Sequence, residues 1–216
     1  MELTGQFHSL MPGATPSPRP REPWRERKRA QILEAASRMF ARRVYHLVSM
    51  EEVARVARVG KGTLYRYFPS KEDLYLAIVD EAFGLLIARL EAERVAAVPP
   101  PTTLRRMIEA IVETFAQHLP FFRLVHRGEG RLFLRKKQVI QARRAHIARL
   151  LAEVLDRGAE SGVFRKVDRV LGPSMLIGMV WGTTLNHAEE TPAEVLASRI
   201  GDLYLHGLLQ TPGSGD

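Results

Sequence analysis

The sequence predicts an all-α protein: an N-terminal three-helix unit followed by a larger helical domain. Three observations carry that prediction. Apolar residues recur at three- and four-residue steps through most of the 216 residues, the spacing that lays them along one helix face. At Ser49 with Glu52, and at Ser70 with Asp73, a hydroxyl stands three residues before a carboxylate, the pattern by which side chains satisfy the exposed N–H groups of a first helical turn. The triplet Pro99-Pro100-Pro101 stops one long periodic stretch and precedes the next. The resulting division is an arm over 1–23, a compact unit over 24–70 and a helical domain over 71–216.

Residues 1–23 hold Pro12, Pro16, Pro18, Pro20 and Pro23 and little that packs, so they read as a disordered arm, basic at Arg19 and Arg21. Such an arm either follows a phosphate backbone, reaches the minor groove or is an inert tail. From Trp24 to Arg43, Ile32, Ala35, Ala36, Met39 and Phe40 mark an amphipathic helix, and Val44 to Val48 is a loop. The stretch from Ser49 to Asp73, SMEEVARVARVGKGTLYRYFPSKED, describes two short helices joined by a tight turn. Met50, Val53, Ala54 and Ala57 share one face of the first; Leu64 and Phe68 form the inner face of the second, from Lys61 to Phe68.

Ser70 opens a long helix through Leu74, Ala77, Ile78, Leu85 and Leu86 to about Val98. Thr102 or Thr103 is placed to cap the next, which carries Leu104, Met107, Ile108, Ile111, Val112 and Phe115 and ends near Pro120. A short apolar piece over 121–125 precedes Gly128-Glu129-Gly130, and a mostly helical stretch runs from Arg131 to Gly158 with Ile140, Ile147, Leu150, Leu151, Val154 and Leu155 buried. The helix from Gly172 to His187 is apolar nearly all round and predicts burial on several sides. The last is predicted with Thr191 as N-cap, Pro192 at its first position, Glu194 completing a capping box, and Val195, Leu196, Ile200, Leu203 and Leu208 buried.

Composition narrows the function classes. Cysteine is absent, which excludes disulfides, thiolate metal sites and a cysteine nucleophile. The most apolar run, Met175 to Leu185, is interrupted by Gly178, Gly182 and two threonines, short of the roughly 20 residues that span a bilayer. No signal-peptide pattern opens the chain, and a soluble, cytoplasmic protein is expected. The net charge of +8 is concentrated: residues 19–70 contain 13 Lys and Arg against 5 Asp and Glu, whereas residues 71–216 contain 19 against 18. Confinement of the whole excess to the helix-turn-helix segment points to a polyanionic partner.

The second short helix gives that partner a chemistry. Its outer face presents Lys61, Thr63, Arg66 and Tyr67: cations and hydroxyls for phosphate oxygens, and long cations able to reach guanine edges. A slim helix following a short turn is what the DNA major groove admits. Any helical hairpin with a solvated face shares the spacing, so the charge location is what favours DNA. Other chemistry lacks support. His118, His126, His146 and His187 come without an HExxH pattern, paired carboxylates or a glycine-rich phosphate loop, so no catalytic residue, metal or cofactor is expected.

The runs ILEAASRMF and SMEEVARVARVGKGTLYRYFPSKEDLYLAI, within residues 32–78, resemble the DNA-binding domain of the TetR family of transcriptional regulators. The resemblance implies base-edge approach from Lys61, Gly62 and Arg66, with Gly62 permitting close backbone approach. It implies phosphate contacts from Ser49, Thr63, Tyr65, Tyr67 and Lys71, Tyr65 being equally compatible with partial core packing. Two departures are Val44 and Arg58, where family members often carry glycine; Arg58 predicts an inter-helix turn of different local conformation.

The resemblance further implies a homodimer, paired through the last two helices and reading a pseudo-palindrome, that acts as a repressor. It implies an effector cavity in the C-terminal domain, for which Met107, Phe115, His118, Phe122, His126, Met175, Met179, Trp181 and Asn186 are candidate lining residues. The basic run Arg131, Arg135, Lys136, Lys137, Arg143 and Arg144 beside such a cavity suits an acyl chain with an anionic head, such as an acyl-coenzyme A, or is simply a solvated helix face. A DNA-binding dimer without an effector is the alternative.

Overall fold

A computed structural model describes residues 23–119 and 131–209, with the backbone alone for 131–137. Among the described residues the architecture is all-α: α1 (Pro23–Arg42), α2 (Met50–Val56), α3 (Lys61–Tyr67), α4 (Lys71–Val95), α5 (Pro100–Gln117), α6 (Arg131–Glu160), α7 (Leu171–His187) and α8 (Ala193–Leu208). The loop expected before α2 contains a 3₁₀ turn, Tyr45–Leu47. Pro23, the last residue assigned to the arm, belongs to α1; the rest of the arm, Phe121 to Val125 and Gly128 to Gly130 lie outside the described residues.

Helix starts follow the capping chemistry where a hydroxyl is free to act. The Ser49 hydroxyl accepts from the Glu52 backbone N–H, and the Glu52 carboxylate accepts from the Ser49 N–H at 3.1 Å, completing the box at α2. Ser70 accepts from the Asp73 N–H at 3.0 Å and donates to its carboxylate at 2.8 Å, opening α4. Two predicted caps are corrected. α5 begins at Pro100 with Pro99 in the cap position, because proline's fixed φ suits the first turn and its missing N–H is no loss there. Thr103 therefore sits inside that turn, fully buried, beside the Val98 and Pro99 carbonyls. Likewise α8 starts at Ala193 with Pro192, not Thr191, as its cap and no side-chain cap bond.

The N-terminal unit closes on the inner faces the pattern predicts: Met50, Val53, Ala54, Ala57, Leu64 and Phe68 are all buried against Ile32, Ala35, Ala36 and Phe40 of α1. The Gln31 amide donates to the Ala57 carbonyl at 2.8 Å, fixing α1 against the end of α2. α4 then runs from this unit into the C-terminal domain, where α5 packs against α4, α6, α7 and α8. Leu104, Met107, Ile108 and Val112 of α5 are all fully buried, and truncating any one of the larger three to alanine removes ~2–5 kcal/mol of transfer and packing energy. Arg157 of α6 staples two ends together, donating to the last-turn carbonyl of Arg94 at 2.8 Å and to the Thr103 hydroxyl at 3.1 Å.

Two predicted core positions, Val195 and Leu203 of α8, are on the outside instead, at 38% and 69% exposure. Leu85 of α4 and Met175 of α7 are exposed as well, at 70% and 61%. On α7, Leu171 and Met175 share this open face, and a Cβ placed on Gly178 or Gly182 meets no atom within 4 Å. The helix expected to be enclosed on several sides is thus buried on one, through Leu176, Ile177, Val180 and Thr184.

Candidate nucleic-acid interface

The capping box at Ser49 and the burial of Leu64 and Phe68 fix which side of α3 faces outward. Lys61, Gly62, Tyr65 and Arg66 are exposed on that side, and Thr63 and Tyr67 are half-buried at its margins. Lys61 reaches across to Glu51 of α2 at 2.6 Å. Their contact raises the ammonium's pKa and lowers the carboxylate's, mainly through the shared hydrogen bond. Lys61 also lies 5.9 Å from the Tyr65 ring centroid, as does the Arg66 guanidinium from the Tyr67 ring. Tyr65 therefore supports its cation from the surface, whereas Tyr67 also packs against the core with its hydroxyl buried.

Gly62 has no folding reason to be glycine: its φ is not in the left-handed region, and an added Cβ meets nothing within 4 Å. The space it leaves opens outward, where a groove wall would lie. Arg58 is the opposite case. Its φ of 50° puts it in the left-handed conformation that glycine adopts without strain, so here an arginine takes on that strain.

Lys71, expected as a phosphate ligand, is largely occupied within the protein. Its ammonium donates to the carbonyls of Tyr45 and Val48, at 2.8 and 2.9 Å, and sits 4.3 Å from the Tyr45 ring centroid. Partial burial holds its pKa below the usual lysine value, and one N–H remains for an outside acceptor. Ser49 is similarly engaged in its cap, although its place at the start of α2 keeps it at the edge of the same surface.

The described candidate effector residues divide between core and surface. Met107 and Phe115 are core, Phe115 meeting Trp181 edge to face at 5.8 Å, with Met179 packed beside the same core. Met175 and Asn186 face outward, Asn186 donating to the Gly182 carbonyl at 2.8 Å. Phe122 and His126 lie outside the described residues, as do the side chains of Arg131, Arg135, Lys136 and Lys137. His118 borders a small cavity of about 30 Å³ with Ser37, Phe40 and Tyr75, and burial pushes its pKa down. A larger cleft, about 240 Å³, opens elsewhere, between α1, α4 and α6. Of the basic run, Arg143 pairs with Asp80 at 3.0 Å and Arg144 lies over the Trp181 ring at 5.7 Å.

Among the described residues no group of three or more His, Cys, Asp or Glu side chains could hold a metal, and no helix is long and apolar enough to cross a membrane.

Known proteins with the same organisation were found by sequence and by structure. The family model described as "Bacterial regulatory proteins, tetR family" matches residues 32–78, and "Tetracyclin repressor-like, C-terminal domain" matches residues 97–208. The crystal structure of the TetR family transcriptional regulator PfmR from Thermus thermophilus is 31% identical, covers 83% of this chain and 99% of its own, and superposes with a TM-score of 0.67. The transcriptional activator FasR of Mycolicibacterium smegmatis is 37% identical over 91 residues, 42% of this chain and 40% of FasR. FadR from Bacillus subtilis in complex with stearoyl-CoA, at 22% identity and a TM-score of 0.68, covers 82% of this chain and 98% of its own and shares the fold. The chain spans only 32% and 40% of the length of two of the curated relatives it matches. With the second family model alone matching more than half of the sequence, and with the outward basic face of α3 in place, the chain belongs to the TetR family of DNA-binding transcriptional regulators.

Proposed function

We propose that the protein is a homodimeric repressor that leaves a pseudo-palindromic operator when a small apolar or amphipathic effector binds its C-terminal domain. The observation that carries DNA reading is the exposed face of α3, where Lys61, Gly62 and Arg66 are unobstructed and Glu51 is the near carboxylate. Lys61, Gly62 and Arg66 approach base edges; Ser49, Thr63, Tyr65, Tyr67 and the remaining N–H of Lys71 meet phosphates.

Dimerisation is supported by the open apolar stripe of α7 and α8, with Leu171, Met175 and Leu203 all more than half exposed and two glycines that let helices approach. Two recognition helices held about 34–36 Å apart read successive major grooves, which one seven-residue helix cannot do alone. An acyl-coenzyme A is the effector class to test first, since FadR of Bacillus subtilis is described with stearoyl-CoA bound and the fatty acid metabolism regulator protein of that organism matches in sequence. Such a ligand acts only if its affinity differs between the two arrangements of the helices.

Fluorescence anisotropy with fragments of the DNA flanking the gene, with and without stearoyl-coenzyme A, tests the reading together with light scattering for mass. Monomeric protein, or no fragment bound above non-specific DNA, overturns it. Tight binding that no acyl-coenzyme A or metabolite relieves leaves a DNA-binding regulator without an effector. A promoter reporter decides the direction of control.

A further inference from the structure

We infer that the cleft between α1, α4 and α6 is a binding site for a medium-chain carboxylate, separate from the C-terminal positions considered above. Three elements meet there: Arg29 comes from the N-terminal unit, Ala77, Asp80 and Phe83 from α4, and Val139 and Arg143 from α6. The walls are apolar and the mouth is charged. Asp80 neutralises Arg143 at 3.0 Å, whereas Arg29 has no carboxylate partner among the described residues and only stacks 5.8 Å from the Phe68 ring. Among the described residues two guanidiniums thus face one carboxylate, which leaves room for one further anion, and guanidinium forks match carboxylate geometry.

Size sets the tail. At about 240 Å³, and with a water's share of liquid volume at about 30 Å³, the cleft holds about eight small groups, enough for a chain of six to eight carbons. An occupant so placed touches α1 and α6 at once. It would tie the DNA-binding unit to the C-terminal core, giving it a differential contact between domain arrangements. Asp80 then acts as a built-in competitor for Arg143, released when the ligand carboxylate takes its place.

Calorimetric titration of the full chain with sodium octanoate tests this. Saturable binding at one site per protomer is expected, about tenfold weaker for octanol and about tenfold weaker for octanoate with Arg29→Gln. Arg29 makes no ion pair with the described residues, so that substitution leaves the fold intact. Ala77→Leu fills the cleft without altering charge and abolishes binding, with folding checked by thermal melting. Asp80→Asn removes the competitor and tightens octanoate about threefold, a gain that a purely structural Asp80–Arg143 pair cannot give. No saturable binding to the wild-type protein, binding indifferent to Arg29→Gln and Ala77→Leu, or weakening by Asp80→Asn overturns the assignment. DNA affinity measured in parallel separates the two proposals: octanoate binding without operator release removes the effector role and leaves the site.

Discussion

Replacing Gly62 by alanine drives stability and DNA affinity in opposite directions. In the free protein the added methyl meets nothing within 4 Å, and the position lies in the first turn of α3. Glycine inside a helix costs roughly 0.5–1 kcal/mol relative to alanine, and the first-turn position argues for the lower end. A gain of about 0.5 kcal/mol corresponds to a rise in Tm of about 1–2 °C for a chain of this size. With the outer face of α3 in the groove, as proposed, the same methyl would point toward the groove wall. If the α3 backbone approaches within van der Waals contact, α3 must withdraw, and loosening even one base contact costs about 1–3 kcal/mol, or at least fivefold to tenfold in affinity. No charge changes, so the slope of log affinity against log salt stays the same. Differential scanning fluorimetry and anisotropy on one preparation read both effects. Unchanged affinity with raised Tm would refute the close approach of Gly62, and lowered Tm would refute the claim that the fold leaves the position open.

Four further outcomes are expected. Arg58→Gly relieves a left-handed backbone at φ 50° and raises stability by about 1 kcal/mol in chemical denaturation. Gly158→Ala places a Cβ 1.9 Å from a ring carbon of the buried Phe164, an overlap that lowers stability by about 3 kcal/mol or prevents folding, as judged by circular dichroism. Glu51→Gln frees Lys61 from its 2.6 Å partner and removes a negative charge beside the groove; anisotropy at low salt shows DNA binding about threefold tighter. For His118, burial depresses the folded-state pKa, so below about pH 6.5 the unfolded chain binds a proton that the folded one resists. Stability therefore falls between pH 7 and 5, and His118→Gln makes the Tm less sensitive to pH across that window.

Local chemistry was legible from the sequence, and so was the family of the DNA-binding unit. Ser49 and Ser70 cap where they were expected because an N-cap depends on four consecutive residues and nothing distant. Thr103 and Thr191 failed as caps because neighbouring prolines supplied the first turn more cheaply than a hydroxyl. The misplaced core residues share a different cause. A stripe such as Leu171 and Met175 or Leu203 has the periodicity of a buried face, and periodicity does not say whether the covering surface belongs to the same subunit or to another. The 240 Å³ cleft was invisible for a third reason: Asp80 and Arg143 are 63 positions apart, and no short-range pattern joins them. Lys71 shows the same limit in miniature, since the carbonyls it binds lie on the far side of α2 and α3 in sequence.

That lysine also stiffens the joint between α4 and the N-terminal unit. By gripping the Tyr45 and Val48 carbonyls, it welds the first turn of α4 to the segment leading into α2, and the clustered rings of Phe40, Tyr45 and Tyr75 reinforce the joint. Two carbonyl contacts and three packed rings resist bending at Pro69 and Ser70, so the N-terminal unit and the first turns of α4 are expected to move as one piece. A substitution that loosens Lys71 should therefore show first as faster amide exchange in the opening turn of α4.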